Sequence, residues 1–401
     1  MGMEETWRWF GPADPITLPE IRQTGATGIV TALHHIPPGE EWMRDAITER
    51  REVIERAHLS WSVAESLPVP ESIRTRSGEY RRHIRNYAAS LRALGACGVD
   101  TVCYNFMPVL DWSRTDLETV APDGSVTTRF DAVVFAAFDM FILGRKDAAE
   151  DYADATVRAA RAWYDGADAA ARERLLRTVL LGLPGSGATM TLDEFRAALA
   201  PYAEIGEAGL RANLGEFIRE MTPVAEEAGV RLAVHPDDPP WPLLGLPRIV
   251  STAEDVAAIL RAADSPANGI TLCTGSFGAS PRNNLVAMAE RFASRISFVH
   301  LRNVRHDGAG GFAEEDHLGG DVDMFGVVRA ILREQVRRER EGRPDRRMPM
   351  RPDHGRTTLA DEMLAGLRGK ETYPGYSLVG RMRGLAELRG LERGIRLALG
   401  L

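Results

Sequence analysis

Short runs rich in Val, Ile and Thr alternate along the 401-residue chain with amphipathic stretches long enough to be helices. That alternation limits the fold more than any other feature. A strand, a helix and a further strand form a parallel pair, because the chain must cross back before the second strand can start. Seven runs read as strands: Gly28–Leu33, Leu59–Val63, Val99–Tyr104, Val230–Val234, Gly269–Cys273, Ile296–Leu301 and Met348–Arg351. Between several of them lie Glu40–Arg56, Gly78–Leu94, Thr252–Ala263 and Met324–Arg340, with apolar residues at helical spacing. Seven such strands predict an eighth, and with it an α/β chain closed into a (β/α)8 barrel, a TIM barrel, as one catalytic domain over residues 1–401.

The interval from Tyr104 to Val230 is too long for one crossover. Leu117–Arg129 reads as a hairpin turning at Pro122-Asp123-Gly124. The remainder, Ala136–Glu227, is rich in Ala, Arg and Glu and is broken at Leu183-Pro184-Gly185-Ser186-Gly187. Residues 136–227 are therefore expected to form a mostly helical insertion, over or beside the barrel mouth as a lid. The missing fourth strand is expected inside this interval, at Asp131–Ala136.

With 44% hydrophobic and 26% charged residues the chain has the composition of a soluble globular protein. Its longest apolar run, Ala132–Phe138, is flanked by Asp131 and Asp139, far short of the roughly 20 residues that cross a bilayer. The start, MGMEETWRWFG, has no basic segment followed by an apolar one, so a cytoplasmic protein is expected. A net charge of -8, from 49 basic and 57 acidic residues, disfavours nucleic acid and anionic membranes as partners. The basic stretch Arg333–Arg347 also holds Glu334, Glu339 and Glu341, and reads as a solvated helix end. Three cysteines, Cys97, Cys103 and Cys273, do not make a disulfide framework and leave room for a ligand or a reactive thiol.

In a barrel, the informative residues are polar ones at the C-terminal tips of strands, where active sites form. RLAV ends in His235, ITL in Cys273, SFV in His300 and MRP in Asp353. A lone His or Cys at a strand end is more often a packed core residue than a ligand. Four at the same barrel end are not explained by packing, and two imidazoles, a thiolate and a carboxylate suit a divalent transition metal. His34-His35 follows the Gly28–Leu33 run and faces the same mouth, and His354 follows Asp353 directly. Asp321 and Asp323 precede a helix and suit N-caps.

At these residues the chain resembles a family. WRWFGPADPITL, TALHHIPPGEEW, AVHPDDPPWPLLGLPRIV, LCTGSFG, SFVHLRNV, RPDHGR and YPGYSLVGRMRGLAEL are similar to the bacterial mannonate dehydratases of hexuronate catabolism, over residues 7 to about 390. The resemblance implies a xylose-isomerase-like TIM barrel with a helical insertion. It implies one divalent ion, Mn2+ or Fe2+, on His235, Cys273, His300 and Asp353, and catalytic roles for His354 and Tyr376. By position, His34, Trp112, Arg302 and Asn303 are the expected substrate contacts. The implied reaction takes water from D-mannonate to give 2-keto-3-deoxy-D-gluconate, the proton leaving C2 and the hydroxide C3. His354 is favoured as base, because a neutral imidazole is available near pH 7 and a tyrosine is not ionised there. A metal-dependent sugar isomerase or epimerase, and a non-catalytic sugar-acid sensor, are the alternatives. The oligomeric state stays open, with a homodimer as one option.

Overall fold

The computed structural model describes residues 2–181 and 190–400. Its strands are β1 (Glu4–Arg8), β2 (Gly28–Thr31), β3 (Ser60–Glu65), β4 (Thr101–Tyr104), β5 (Asp116–Val120), β6 (Val126–Phe130), β7 (Arg231–Val234), β8 (Asn268–Cys273), β9 (Ile296–His300), β10 (Asn303–His306), β11 (Phe312–Glu315) and β12 (Pro349–Arg351). Eight close into a barrel in the order β1-β12-β9-β8-β7-β4-β3-β2. All pairs around it are parallel. All seven expected strands are there, and helices such as Met324–Arg340 cover them, this one capped by the Asp323 carboxylate on the Gly326 N–H at 2.9 Å. The barrel interior is packed: Val30, Val63, Cys103, Ala233 and Phe298 fill one cluster inside it. Arg337 pairs with Glu334 and Glu341, while the buried Arg338 donates to the Ala293 and Ile296 carbonyls, so the basic stretch is tied to its own helix end and the barrel.

The eighth strand is not where the sequence placed it. Asp131 caps a helix, its carboxylate accepting from the N–H groups of Val133 and Val134 at 2.9 and 3.1 Å, and Ala132–Ala137 is helical. A capped, alanine-containing start favours helix over strand. The strand is β1, the fourth to eighth residues of the chain, which pairs with β2 on one side and β12 on the other. Its two glutamates are held at the barrel's lower rim by Arg347 on Glu4 (2.6 Å) and Arg389 on Glu5 (2.8 Å).

The expected hairpin is β5–β6, and it joins β10–β11 in a second, antiparallel sheet of order β10-β11-β6-β5. This sheet and the helices after it share a separate core that includes Phe130, Phe135, Phe138, Leu175, Phe195 and Phe312. Within 136–227 the described residues are mostly helical, including Asp154–Gly166, Ala169–Leu180 and Leu192–Ala228. The last helix kinks at Gly206 (φ 60°), and it packs on β7 and on the helix Tyr80–Ala96 as part of the barrel's own outer layer. Leu183–Gly187 lies outside the described residues. Among the described residues, no helix is long and apolar enough to cross a membrane.

Candidate active site

A cavity of about 350 Å3 opens at the C-terminal ends of the barrel strands. His235 and Asp353 reach its wall from the ends of β7 and β12, while Cys273 and His300 lie fully buried beneath it at the tips of β8 and β9. The four expected side chains converge. His235 Nε2 is 3.2 Å from His300 Nδ1, and Asp353 Oδ2 is 3.6 Å from Cys273 Sγ and 3.8 Å from His300 Nδ1. The His235, Cys273 and His300 donor atoms all lie within 4.8 Å of one another. Donors bonded to one ion at 2.0–2.3 Å sit about 3.3–3.8 Å apart in a tetrahedron, so the spacing fits a single divalent ion. His235 Nδ1 is 2.7 Å from the Pro236 carbonyl, which takes its N–H and leaves Nε2 with the lone pair. Burial keeps both imidazoles neutral by lowering their pKa, and it pushes the Cys273 thiol up to about 12. The Ser276 hydroxyl and N–H point at that sulfur, at 3.1 and 3.5 Å.

Charged groups surround this set. Glu65, at the tip of β3, pairs with Arg351 (2.8 Å) and Arg8 (3.5 Å). Burial raises its pKa, but the Arg351 and Arg8 guanidiniums outweigh it and hold it at about 2. Asp353 is held by Arg351 and, at 3.3 Å, by Arg302. Asp238, from the loop after β7, is shared by Arg114 (2.8 Å) and Arg302 (2.7 Å), and these two arginines outweigh its burial and keep it ionised. Arg302 therefore has three carboxylates around it, Asp238, Asp353 and, at 3.1 Å, Glu314. It lines the cavity, but its guanidinium is already engaged.

The expected catalytic pair shares one wall. The rings of His354 and Tyr376 meet edge to face at 5.0 Å, and Trp112 stands at 6.1 Å from His354 on another side. Burial pushes the Tyr376 hydroxyl up to about 12. His34 also lines the cavity. Burial, reinforced by Arg8, lowers it to about 3, so its ring is neutral. Asn303 does not line the cavity: its amide donates to the His317 and Val322 carbonyls and its oxygen accepts from the Val304 and Val322 N–H groups. Those bonds tie down the β9–β10 connection, a structural use in place of the expected substrate contact. Among the described residues, none from 136–227 lines the cavity.

Sequence reading passed over Arg8, Glu65, Arg114, Asp238, Glu314 and Arg351. Two had a signal, since Asp238 stands in HPDDPP and Arg351 in MRPDHG. Glu65 and Arg8 end strands, and the strand-tip rule reaches them once β3 extends past Val63 and β1 is recognised.

The barrel and this polar cavity at its strand ends define an α/β-barrel enzyme with a donor set for one divalent ion. A family model described as "D-mannonate dehydratase (UxuA)" matches residues 3–399. The mannonate dehydratase of Chromohalobacter salexigens is 58% identical over 396 residues, covering 98% of this chain and 99% of the relative. That of Marinomonas sp. is 52% identical over 398 residues, covering 99% and 100%. The crystal structure of mannonate dehydratase from Streptococcus suis serotype 2 superposes with a TM-score of 0.77 at 36% identity, covering 100% of this chain and 95% of that one. A xylose isomerase-like TIM barrel protein from Mycobacterium smegmatis shares the fold alone, with a TM-score of 0.51 at 13% identity over 98% and 97% of the two chains. The chain belongs to the D-mannonate dehydratase family, a family of hydro-lyases.

Proposed function

We propose that this protein removes water from D-mannonate to give 2-keto-3-deoxy-D-gluconate, with His354 as the base at C2, Tyr376 as the proton donor at C3, and one Mn2+ or Fe2+ held by His235, Cys273, His300 and Asp353. The observation that carries the reading is the placement of His354 and Tyr376 side by side on the wall that adjoins those four donors. A proton beside an ionised carboxylate is a poor acid, since its removal adds a second negative charge to the same group. The ion supplies Lewis-acid charge against that build-up. His354 takes the C2 proton, the C–H electron pair forms the C2–C3 double bond, and the C3–O bond breaks. Tyr376 gives its proton to the departing oxygen, which leaves as water, and the enol at C2 becomes the ketone. A tyrosine held protonated by burial suits the donor role and not the base role. Arg8, His34 and Trp112 line the cavity and are available to substrate oxygens. Arg302, with its partners already in place, orients Asp353 and Asp238 around it.

Three cysteines that are all free and buried support a cytoplasmic setting. The helix Leu359–Arg368 exposes Leu359, Met363 and Leu367 on one stripe. An exposed apolar stripe of this kind supports a homodimer through that face.

The test is product analysis from D-mannonate with protein loaded anaerobically with Mn2+ or Fe2+. A product one water lighter than substrate is expected. Unchanged mass would indicate isomerase or epimerase chemistry, and binding without turnover a sensor. Provided proton abstraction precedes departure of the C3 oxygen, Tyr376→Phe should still exchange the C2 hydrogen of mannonate in deuterated solvent, whereas His354→Ala should not. The reverse pattern would exchange the two roles.

A further inference from the structure

One buried carboxylate at this site has no role in the reaction above. Glu314 belongs to β11, outside the barrel, yet its Oε1 lies 3.3 Å from Nδ1 of His354. Arg114, wholly buried, holds that oxygen at 2.5 Å, and Arg302 Nε lies 3.1 Å from the other. Glu314 is itself only 6% exposed. The second sheet delivers it there: Phe312 pairs with Phe130 across β11 and β6, and the Thr127 hydroxyl donates to the Glu314 carbonyl at 3.1 Å. The His354 ring has little room to turn, with Trp112 and Tyr376 against it and the Gly375 backbone so near that a Cβ would come within 3.2 Å of its Cγ.

A neutral imidazole carries one N–H and one lone pair, and the partner at one nitrogen decides which is which. An ionised carboxylate only accepts, so at Nδ1 it selects the N–H and leaves the lone pair on Nε2. Arg302 Nη1, 3.4 Å from the same Nδ1, and Asp353 Oδ1, 3.8 Å from Nε2, favour the opposite tautomer, but Arg302 has an acceptor of its own in Asp353 Oδ2 at 3.3 Å, and Asp353 Oδ1 lies beyond hydrogen-bond distance and is held by Arg351. We infer that Glu314 is a positioning residue that fixes His354 as the Nδ1–H tautomer, with Nε2 presented to the substrate as the base nitrogen. The inference rests on His354 being the C2 base.

The test compares Glu314→Gln, Glu314→Asp, His354→Ala and the Glu314→Gln/His354→Ala double variant, all as Mn2+-loaded full-length protein. Glu314→Gln should keep one ion per chain and a KM within about threefold, while kcat falls on the order of 10²-fold, the scale for a misplaced catalytic group. Glu314→Asp, which keeps the charge, should recover part of that loss. In the His354→Ala background Glu314→Gln should lower the residual rate no further, because its effect runs through the imidazole. Full kcat in Glu314→Gln with an inactive His354→Ala would overturn this inference and leave the base assignment standing. Full activity in His354→Ala would overturn both. Loss of the ion in Glu314→Gln, or a further drop in the double variant, would make Glu314 a structural residue and also overturn the inference. If Glu314→Gln does not fold, Glu314→Asp and its double variant decide by the same criteria.

Discussion

Asp353 has φ 64°, a left-handed conformation that few residues other than glycine adopt and that aspartate tolerates better than most. The turn lets three neighbours serve different partners: Arg351 pairs with Glu65, Asp353 approaches Cys273, and His354 faces Tyr376 and Glu314. Gly275 has a matching role, since a Cβ there would lie 1.9 Å from Arg302 Nε. Of the four proposed ligands, Cys273 is the one whose loss is easiest to read. A thiol pushed up to about 12 has to give up its proton when it binds an ion. Cys273→Ala should therefore lose metal affinity first and activity as a consequence, with partial rescue by excess Mn2+, followed by metal content and rate across a metal titration. His235, Cys273, His300 and Asp353 could be read from sequence because strand tips have a simple pattern. Arg114 and Glu314 could not. A charged residue in a loop or outer strand normally faces water, and only tertiary packing buries these two.

At the scale of elements, the misread strand shows how local chemistry outweighs hydrophobicity. Asp131–Ala136 carries the more apolar run, but its aspartate caps a helix. In β1 two glutamates open a five-residue strand, and they pair with Arg347 and Arg389, which lie more than 300 residues away in sequence. The second sheet could be read in part: β5–β6 follows from its turn signal, whereas β10–β11 has only a weak apolar pattern. That sheet should be coupled to the active site. Phe312 is fully buried, stacks on Phe130 at 5.8 Å and lies under Arg114 at 4.7 Å. Phe312→Ala should cost about 3–5 kcal/mol, the usual range for such a truncation, measured by denaturant unfolding. It should also speed amide exchange in β11. Unchanged exchange there would show that the sheet does not rely on this ring.

The whole molecule should weaken in acid in two stages. His34 is lowered from 6.5 to about 3, by burial first and then Arg8. Glu65 and Glu314 stand at about 2 instead of 4.5, since Arg351 and Arg302 respectively outweigh burial. In all three the unfolded chain binds protons before the folded one, so the stability present at neutral pH is lost from about pH 6.5 downward by His34 and from about 4.5 toward 2 by the carboxylates. Urea midpoints of metal-free protein should hold from pH 7.5 to about 6.5 and fall from there to pH 4; a flat profile would contradict the assignment. Light scattering should give twice the 44.1 kDa chain mass, and Met363→Glu with Leu367→Glu should return it to one chain. The β1–β12 seam, which joins residues 4–5 to 349–350, has a consequence for synthesis. The barrel cannot close until residues 349–350 have left the ribosome, and until then the growing sheet keeps free edges open to other chains. The strand that completes the wall also brings Asp353, so the last of the four proposed donors arrives at the moment the barrel becomes a closed vessel.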